Sequence, residues 1–423
     1  MFSQKLKQKI MQEAVQKKRF EIIDALRGFS LAGIVLVHMV ENFVGAPTPE
    51  NTMLATHQGM ADSAVDIFIM LFLRGKFFAI FSFLFGLSFY IQMKNASDKG
   101  QTPGGSYLWR LILLFAIGYL HHLFYRGDIL TIYAIMGIFL IPFHSIRNTR
   151  VLLVAGLLFL GLGRYLVFAI TQGEALFTEE ALTPDNPLII GYFQLLQEGA
   201  IWDVFRSNAT EGQLMKMDFQ FGVFSRAYLT FGFFLMGMLT GRIRLFQDFM
   251  EHKKLVKNVL IWSGVLFVCS LALAILIFTG IGPEVTFDSW ASMIALTAFD
   301  LNNLAMTFIL LALFVLCYRS IRIRPYLDTF APYGRTALTN YLLQSVAGTF
   351  IFYGWGLGLL GELRNIYTFG IAILLVMVQM ALSKWWLKRF NYGPFEWIWR
   401  SLTYFKLFPL RRVPGGLVAG KEA

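Results

Sequence analysis

Charge is what this 423-residue chain has least of: 15% of its residues are Asp, Glu, Lys or Arg, against about 25% in a soluble domain. With 56% hydrophobic residues beside it, that shortage excludes an ordinary soluble globular protein. Cysteine is nearly absent too. Cys269 and Cys317 are the two in the chain, and both fall in long apolar runs, where core packing is expected rather than a disulfide. No zinc-ligand spacing occurs, and no metal site is expected. There is no fixed-period repeat, heptad run or low-complexity tract. A small-residue cleavage site is also missing after the basic start, so the first apolar stretch is expected to stay attached as a span.

What the chain does have is a series of apolar runs, each long enough for the roughly 20 helical residues that cross a bilayer core of about 30 Å. Ten spans are expected: 26–45, 76–93, 107–124, 129–145, 151–170, 226–241, 258–279, 292–318, 336–355 and 367–387. The fold class is therefore all-α, a polytopic membrane bundle whose helices satisfy their own backbone groups in lipid. Lysine and arginine beside short loops favour the cytoplasmic side. With the N-terminus inside, the inner segments hold 29 of the 37 Lys and Arg residues. Both termini are then expected to be cytoplasmic, in a cell membrane of bacterial inner-membrane type. The net charge of +11 is spread along these inner rims, which argues for topology and anionic lipid rather than nucleic acid.

The expected organisation is a basic arm (1–23), an N-terminal membrane half (24–241) and a C-terminal membrane half with a cytoplasmic tail (242–423). In the arm, Ile10, Met11, Ala14 and Val15 recur at helical spacing, which suits a helix lying on the inner leaflet. Residues 63–73 read as an interfacial or re-entrant helix that leads into the span from Lys76. The longest outer segment, 171–225, starts acidic (Glu174, Glu179, Glu180, Asp185) and is long enough to need short helices of its own. Its Asn-Ala-Thr triplet at Asn208 is read as chance.

The polar residues inside the runs carry the functional argument. In "DALRGFSLAGIVLVHMVENF" (24–43), eleven steps separate Arg27 from His38, almost three helical turns. The two share a face, roughly 16 Å apart along the axis. Asp24 precedes Arg27 by a turn, and Glu41 and Asn42 follow His38 by about a turn. Ionisable groups in lipid are costly and mark sites or pathways. An interfacial Asp24–Arg27 pair and a helix-joining His38 are the plainer alternative.

Within this stretch, "IDALRGFSLAGIVLVH" resembles the first span of the acyltransferase-three superfamily, in which an arginine and a histidine separated by ten residues mark the active site. "KFFAIFSFLFGLSF" (76–89), "RGDILTIYAIMGI" (126–138), "FLMGMLTGR" (234–242), "YGRTALTNYLLQS" (333–345) and "YGPFEWIWRSLTY" (392–404) resemble the YeiB-like family. Its C-terminal region is called domain of unknown function 418. The resemblance implies transfer of an acyl group, usually acetyl, from cytosolic acetyl-CoA or another acyl-CoA to a hydroxyl or amine of an envelope or extracytoplasmic sugar-like acceptor. Lysosomal heparan-glucosamine acetyltransferase is a more distant similar case. By position, His38 matches the catalytic histidine and Arg27 its paired arginine.

A histidine titrating near neutrality suits proton removal from an acceptor, or covalent carriage of the acyl group. Coenzyme A is a polyanion, so Arg242, Arg244 and Arg335 are expected to help hold its phosphates. Arg74, Lys76, His122 and Asp128 are expected toward the acceptor side. Arg74 and Lys76 could instead be interface anchors, and the His121-His122 pair a hydrogen-bonded turn. Asp300, Asn302 and Asn303, with Asn340 and Gln344, could line a cavity or join helices. Glu396 and Arg400 are expected to form an i,i+4 ion pair, and Trp385, Trp386, Trp397 and Trp399 to anchor at the interface. The expected partners are membrane lipids, the acyl-CoA donor and an unassigned acceptor, with homodimer formation left open. A transporter or small-molecule binder using the same polar cavity is the competing class.

Overall fold

The structure is a computed structural model that describes residues 2–100, 103–178, 186–281 and 289–412, with side chains from Glu21 onward. The amphipathic side chains of the arm and the acidic Glu179, Glu180 and Asp185 lie outside the described residues. Among the described residues the chain forms eighteen α-helices and one π-helical turn, Ile69–Leu73. It is an all-α, multi-pass membrane protein.

Seven helical stretches are long and apolar enough to cross a membrane: Glu21–Val40, Met60–Asp98, Gly104–Phe124, Thr149–Thr171, Lys253–Ile277, Trp290–Tyr318 and Asn365–Arg389. An eighth arises if Glu211–Phe221 and Arg226–Arg242, which meet at a bend of 55°, count as one span. The remaining two expected spans are shorter helices. Leu130–His144 has 15 residues and Ala337–Phe352 has 16, which at 1.5 Å per residue reach about 22–24 Å. Apolar sequence continues past Phe352, but its glycines turn the chain back. Leu357, Leu359 and Leu360 donate backbone hydrogen bonds to Phe350, Ile351 and Phe352.

The first helix, Phe2–Val40, supplies the centre of the bundle. Between Glu21 and Val40, 67% of its most apolar window is buried, against 11% for Lys253–Ile277. Two glycines let it touch its neighbour. A Cβ on Gly28 would lie 2.1 Å from the Phe330 carbonyl oxygen, and one on Gly334 would lie 1.9 Å from that of Asp24. This backbone contact sets Arg335 beside Asp24 and Arg27. Small residues at a helix crossing are how membrane helices pack closely.

The helix Lys253–Ile281 sits at the periphery, so Cys269 is exposed there rather than packed in the core as expected, and both cysteines are free thiols. The outer segment folds into Pro187–Glu198, Ile201–Ala209 and Glu211–Phe221. Asp218 holds its start, accepting from the backbone N–H of Leu176, Phe177 and Thr178.

Candidate functional site

The polar strip of the first helix runs from a cavity at the basic end to a buried polar network at the other. At the basic end, Arg27 donates to Asp24 at 2.9 Å and to the Ser88 hydroxyl at 3.3 Å. It lines a cavity of about 260 Å³ together with Arg110, Arg335, Gln92, Glu396 and Trp399. Three guanidinium groups therefore converge on one space. Its inner wall is Leu130, Tyr133 and Tyr341.

Arg110 was not anticipated, because a lone arginine beside a span reads as a topological charge. Its guanidinium lies 4.5 Å over the Trp399 ring, whose Nε1 donates to the Arg110 carbonyl. Trp399 is thus a wall of the cavity rather than a simple anchor. Glu396 does not pair with Arg400. It accepts from the Thr339 backbone N–H at 3.1 Å and its hydroxyl at 2.5 Å, and burial pushes its carboxyl above the ordinary glutamate range. Arg400 lies instead over the Phe408 ring at 4.6 Å.

Arg242 and Arg244 do not line the cavity. Arg242 ties down the end of the helix Leu130–His144 by donating to the carbonyls of His144 and Ile146. Arg244 pairs with Asp248 on an exposed turn at 2.9 Å.

Beyond Tyr341 the polar groups are buried and connected. The Tyr341 ring lies 5.0 Å from the His121 ring. His121 Nδ1 is 2.8 Å from Asp128 Oδ1, while His121 Nε2 is buried and has no hydrogen-bond partner among the described residues. A carboxylate on Nδ1 fixes the tautomer and leaves Nε2 as an acceptor. Asp128 also accepts from the backbone of Leu130 and Thr131, and Lys216 Nζ lies 3.4 Å from its Oδ2. Lys216 donates to Thr131 Oγ1 at 2.7 Å.

His122 faces the other way. Its Nε2 meets the Asn208 carbonyl at 2.8 Å and its Nδ1 the Arg126 carbonyl at 3.3 Å. Asn208 itself is fully buried, donating to Leu123 and accepting from the Tyr192 hydroxyl, as a chance sequon would allow. His122 and Asp128, expected toward the acceptor, thus sit in one buried network with Lys216. The sequence signal for Lys216 is slight: it is a single cation in a mixed segment.

His38 is half-buried against Tyr125 and Phe43, with ring centroids at 5.2 and 5.4 Å. Its Nδ1 is buried without a partner among the described residues. The His121 ring is 6.2 Å from the same Tyr125, so one tyrosine separates the two imidazoles. The basic-end cavity is lined by Arg27 and not by His38.

The other expected positions divide plainly. Glu41 pairs with Arg74 at 2.7 Å, and Asp300 with Arg164 at 2.5 Å. Asn42, in a left-handed turn at φ 50°, donates to the Val40 carbonyl. Asn340 joins helices, donating to Thr336 and to Ser383. Gln344 is buried with both side-chain polar atoms unpartnered among the described residues. Lys76, 1% exposed, donates to the Met70 carbonyl at 2.6 Å.

Comparison with known proteins places the chain in sequence space. Residues 240–406 match the family described as "Protein of unknown function (DUF418)". The "Uncharacterized protein YxaH" of Bacillus subtilis (strain 168) is 29% identical over 95% of this chain and 98% of its own length. The "Uncharacterized protein YeiB" of Escherichia coli (strain K12) is 26% identical over 90% of this chain and 95% of its own. An "Uncharacterized 39.9 kDa protein in amylase 3'region" of Bacillus acidopullulyticus is 26% identical over 93% and 96%. A buried polar strip inside an apolar bundle and a family match that runs from Thr240, near the end of a membrane helix, to Lys406 thus meet in one conclusion: the chain is a multi-pass membrane protein whose residues 240–406 match the DUF418 family model, and it is similar over nearly its full length to bacterial YxaH- and YeiB-like proteins.

Proposed function

We propose that the protein is an integral-membrane acyltransferase that draws an acyl group, acetyl being the simplest case, from cytosolic acyl-CoA. The acceptor is a hydroxyl or amine of an extracytoplasmic, sugar-like molecule. The observation that carries this reading is the convergence of Arg27, Arg110 and Arg335 on a cavity whose inner wall, Tyr341, touches an imidazole with a free buried Nε2. Guanidinium forks suit phosphates. A cavity of about 260 Å³ is below the roughly 300–1,000 Å³ of pockets that take whole ligands, so it would receive one part of coenzyme A and leave the rest outside.

In the transfer step, an imidazole takes the proton of the acceptor hydroxyl or amine. The acceptor oxygen or nitrogen attacks the thioester carbonyl, the C–S bond breaks, and coenzyme A leaves as a thiolate that takes up a proton. His38 is the base or the acyl carrier, with Arg27 as its paired group, as the resemblance to the acyltransferase-three superfamily implies. Contact between the donor cavity and His38 requires Tyr341 and Tyr125 to move. The reading includes ten crossings with both termini in the cytoplasm, the two short helices Leu130–His144 and Ala337–Phe352 among them, in a bacterial cytoplasmic membrane.

Purified protein is expected to release thiol from acetyl-CoA in the presence of an acceptor, and His38→Ala to abolish this while remaining folded. Full activity in His38→Ala would overturn the mechanism. Coenzyme A should raise the melting temperature of the wild type, as a ligand of the folded state does. A transporter is the second reading, favoured by the two interrupted stretches at Gly75 and Ser225, since transporters build sites at broken helices. Uptake into proteoliposomes without acyl-CoA would establish it instead.

A further inference from the structure

Two helices of this bundle begin side by side at interruptions of the helical backbone, and each begins with a cation. Lys76–Asp98 starts after Gly75, whose φ is +80°, and Arg226–Arg242 starts after Ser225, whose φ is +56°. Both breaks use the left-handed region. The helices are parallel and in backbone contact: a Cβ on Gly86 would lie 2.0 Å from the Phe234 carbonyl oxygen, and one on Gly237 would lie 1.8 Å from that of Phe83. Arg226 reaches the Phe78 ring of the neighbouring first turn at 5.8 Å. Parallel packing in this register sets the two N-termini together. Neither is capped by a side chain, and helix N-termini carry partial positive charge with free N–H groups.

The local charges do not balance. Glu41 is held by Arg74 at 2.7 Å and Asp300 by Arg164 at 2.5 Å, which neutralises two pairs. Lys76 and Arg226 remain. They lie within repulsive range of each other. Lys76 has one backbone carbonyl as partner, and the Arg226 side chain makes no hydrogen bond among the described residues, lying over the Phe78 and Phe219 rings. Among the described residues, Lys76 is buried with no anion of its own, which is costly, while the half-buried Arg226 has only Asp300 and Glu41 within range, each already paired with another arginine. A third group faces the same break: Asn303 is 6% exposed, both its side-chain atoms are buried and unpartnered among the described residues, and its Cγ would lie 3.2 Å from a Cβ on Gly75.

We infer that the space between these two helix starts is a binding site for a phosphate-bearing anion, held by Lys76, Arg226 and Asn303. Lys76 keeps two N–H donors after its bond to Met70, Arg226 has five and Asn303 two. That supply exceeds what the two oxygens of a carboxylate accept and suits the several oxygens of a phosphate. Two surplus positive charges match a phosphate monoester dianion. A lipid headgroup and a soluble phosphate share this chemistry. The inference does not depend on acyl transfer, and its test involves no coenzyme A.

The test measures binding to full-length protein in a non-ionic detergent by calorimetry and thermal shift. The probes are dihexanoyl phosphatidic acid, inorganic phosphate and, as a phosphate-free control, dihexanoyl glycerol. Phosphatidic acid is expected to bind and raise the melting temperature, and dihexanoyl glycerol to do neither. Lys76→Met and Arg226→Gln should each weaken binding roughly tenfold to a hundredfold, as loss of a charged hydrogen bond does, while Lys76→Arg retains most of it. Inorganic phosphate binding as well as the lipid identifies a soluble oxyanion; binding of the lipid alone identifies a headgroup. Either supports the site. It is overturned if wild type binds neither phosphate probe, if dihexanoyl glycerol binds equally, or if the folded Lys76→Met protein binds as wild type does. Should Arg226→Gln fail to fold, Lys76→Met and Asn303→Ala give the same reading.

Discussion

Lys216 and Lys76 are both sealed inside the bundle, at 5% and 1% exposure, yet they have opposite surroundings. Lys216 is met by Asp128, Thr131 and His122 within 3.4 Å. Lys76 has the Met70 carbonyl and two cations for neighbours. The first lysine completes a network, and removing it leaves a buried carboxylate short of its counter-charge. The second has no counter-charge among the described residues of the fold, the pattern expected where the partner arrives from outside.

The comparison breaks or holds on two substitutions. Lys216→Met should destabilise by about 3–5 kcal/mol, the usual cost of stripping one partner from a buried pair, read as a large fall in melting temperature or in the denaturant midpoint. Lys76→Met should stay within about 1 kcal/mol of wild type, since one lost hydrogen bond to a carbonyl is set against relief of a buried charge. Equal destabilisation by both would mean that Lys76 is structural and that its charge is compensated within the fold.

Neighbouring histidines sharpen the same contrast. His122 has both nitrogens near backbone carbonyls, whereas His121 is oriented by Asp128 and keeps Nε2 free. If His121, rather than His38, takes the acceptor's proton, His121→Ala should lower turnover by about 10²–10⁴-fold with little change in half-saturation by acyl-CoA, and His38→Ala should then retain activity. His122→Ala should lower stability instead. A pair of variants with the same loss of turnover and the same loss of stability would put both histidines in the scaffold.

The class of fold was legible because hydropathy is a local property, and runs of apolar residues announce membrane helices wherever they fall. The number of crossings was less so. The apolar stretch that includes Ala337–Phe352 runs on into "YGWGLGLL", where glycines reverse the chain, and a window of hydropathy does not distinguish a helix from a turn packed against it. Within the site, Arg27 and Arg335 were readable from spacing and from a basic rim. Arg110 was not, since what gives it a role is a tryptophan nearly 290 residues later. Lys76 and Arg226 are separated by 150 residues and are joined only by a glycine-mediated parallel packing. The Asp128–His121 arrangement was visible as neighbours in sequence, but which of two adjacent histidines the carboxylate orients depends on the turn between helices.

The arginines allow a subtler separation. Arg110 and Arg335 line the basic-end cavity, while Arg242 and Arg244 are engaged elsewhere. Arg110→Gln or Arg335→Gln should weaken coenzyme A binding roughly tenfold and reduce its salt sensitivity. Arg242→Gln and Arg244→Gln should leave the affinity unchanged in calorimetry. Equal losses across all four would indicate that general positive potential, rather than the cavity, attracts the ligand.

Glu396, in the wall of that cavity, carries the smallest expected effect. Burial raises its carboxyl above the ordinary value of 4.5, and the hydrogen bonds from Thr339 oppose this only in part. A folded-state value above the unfolded one means that the folded state holds the proton more tightly. The associated stabilisation is complete below pH 4.5 and is lost as pH rises through the raised folded value. Melting temperatures of wild type should therefore decline over that window, relative to Glu396→Gln, whose amide does not titrate. Parallel pH profiles for the two proteins would show that the carboxylate is solvated well enough to ionise normally, and that the cavity is open to water at this position.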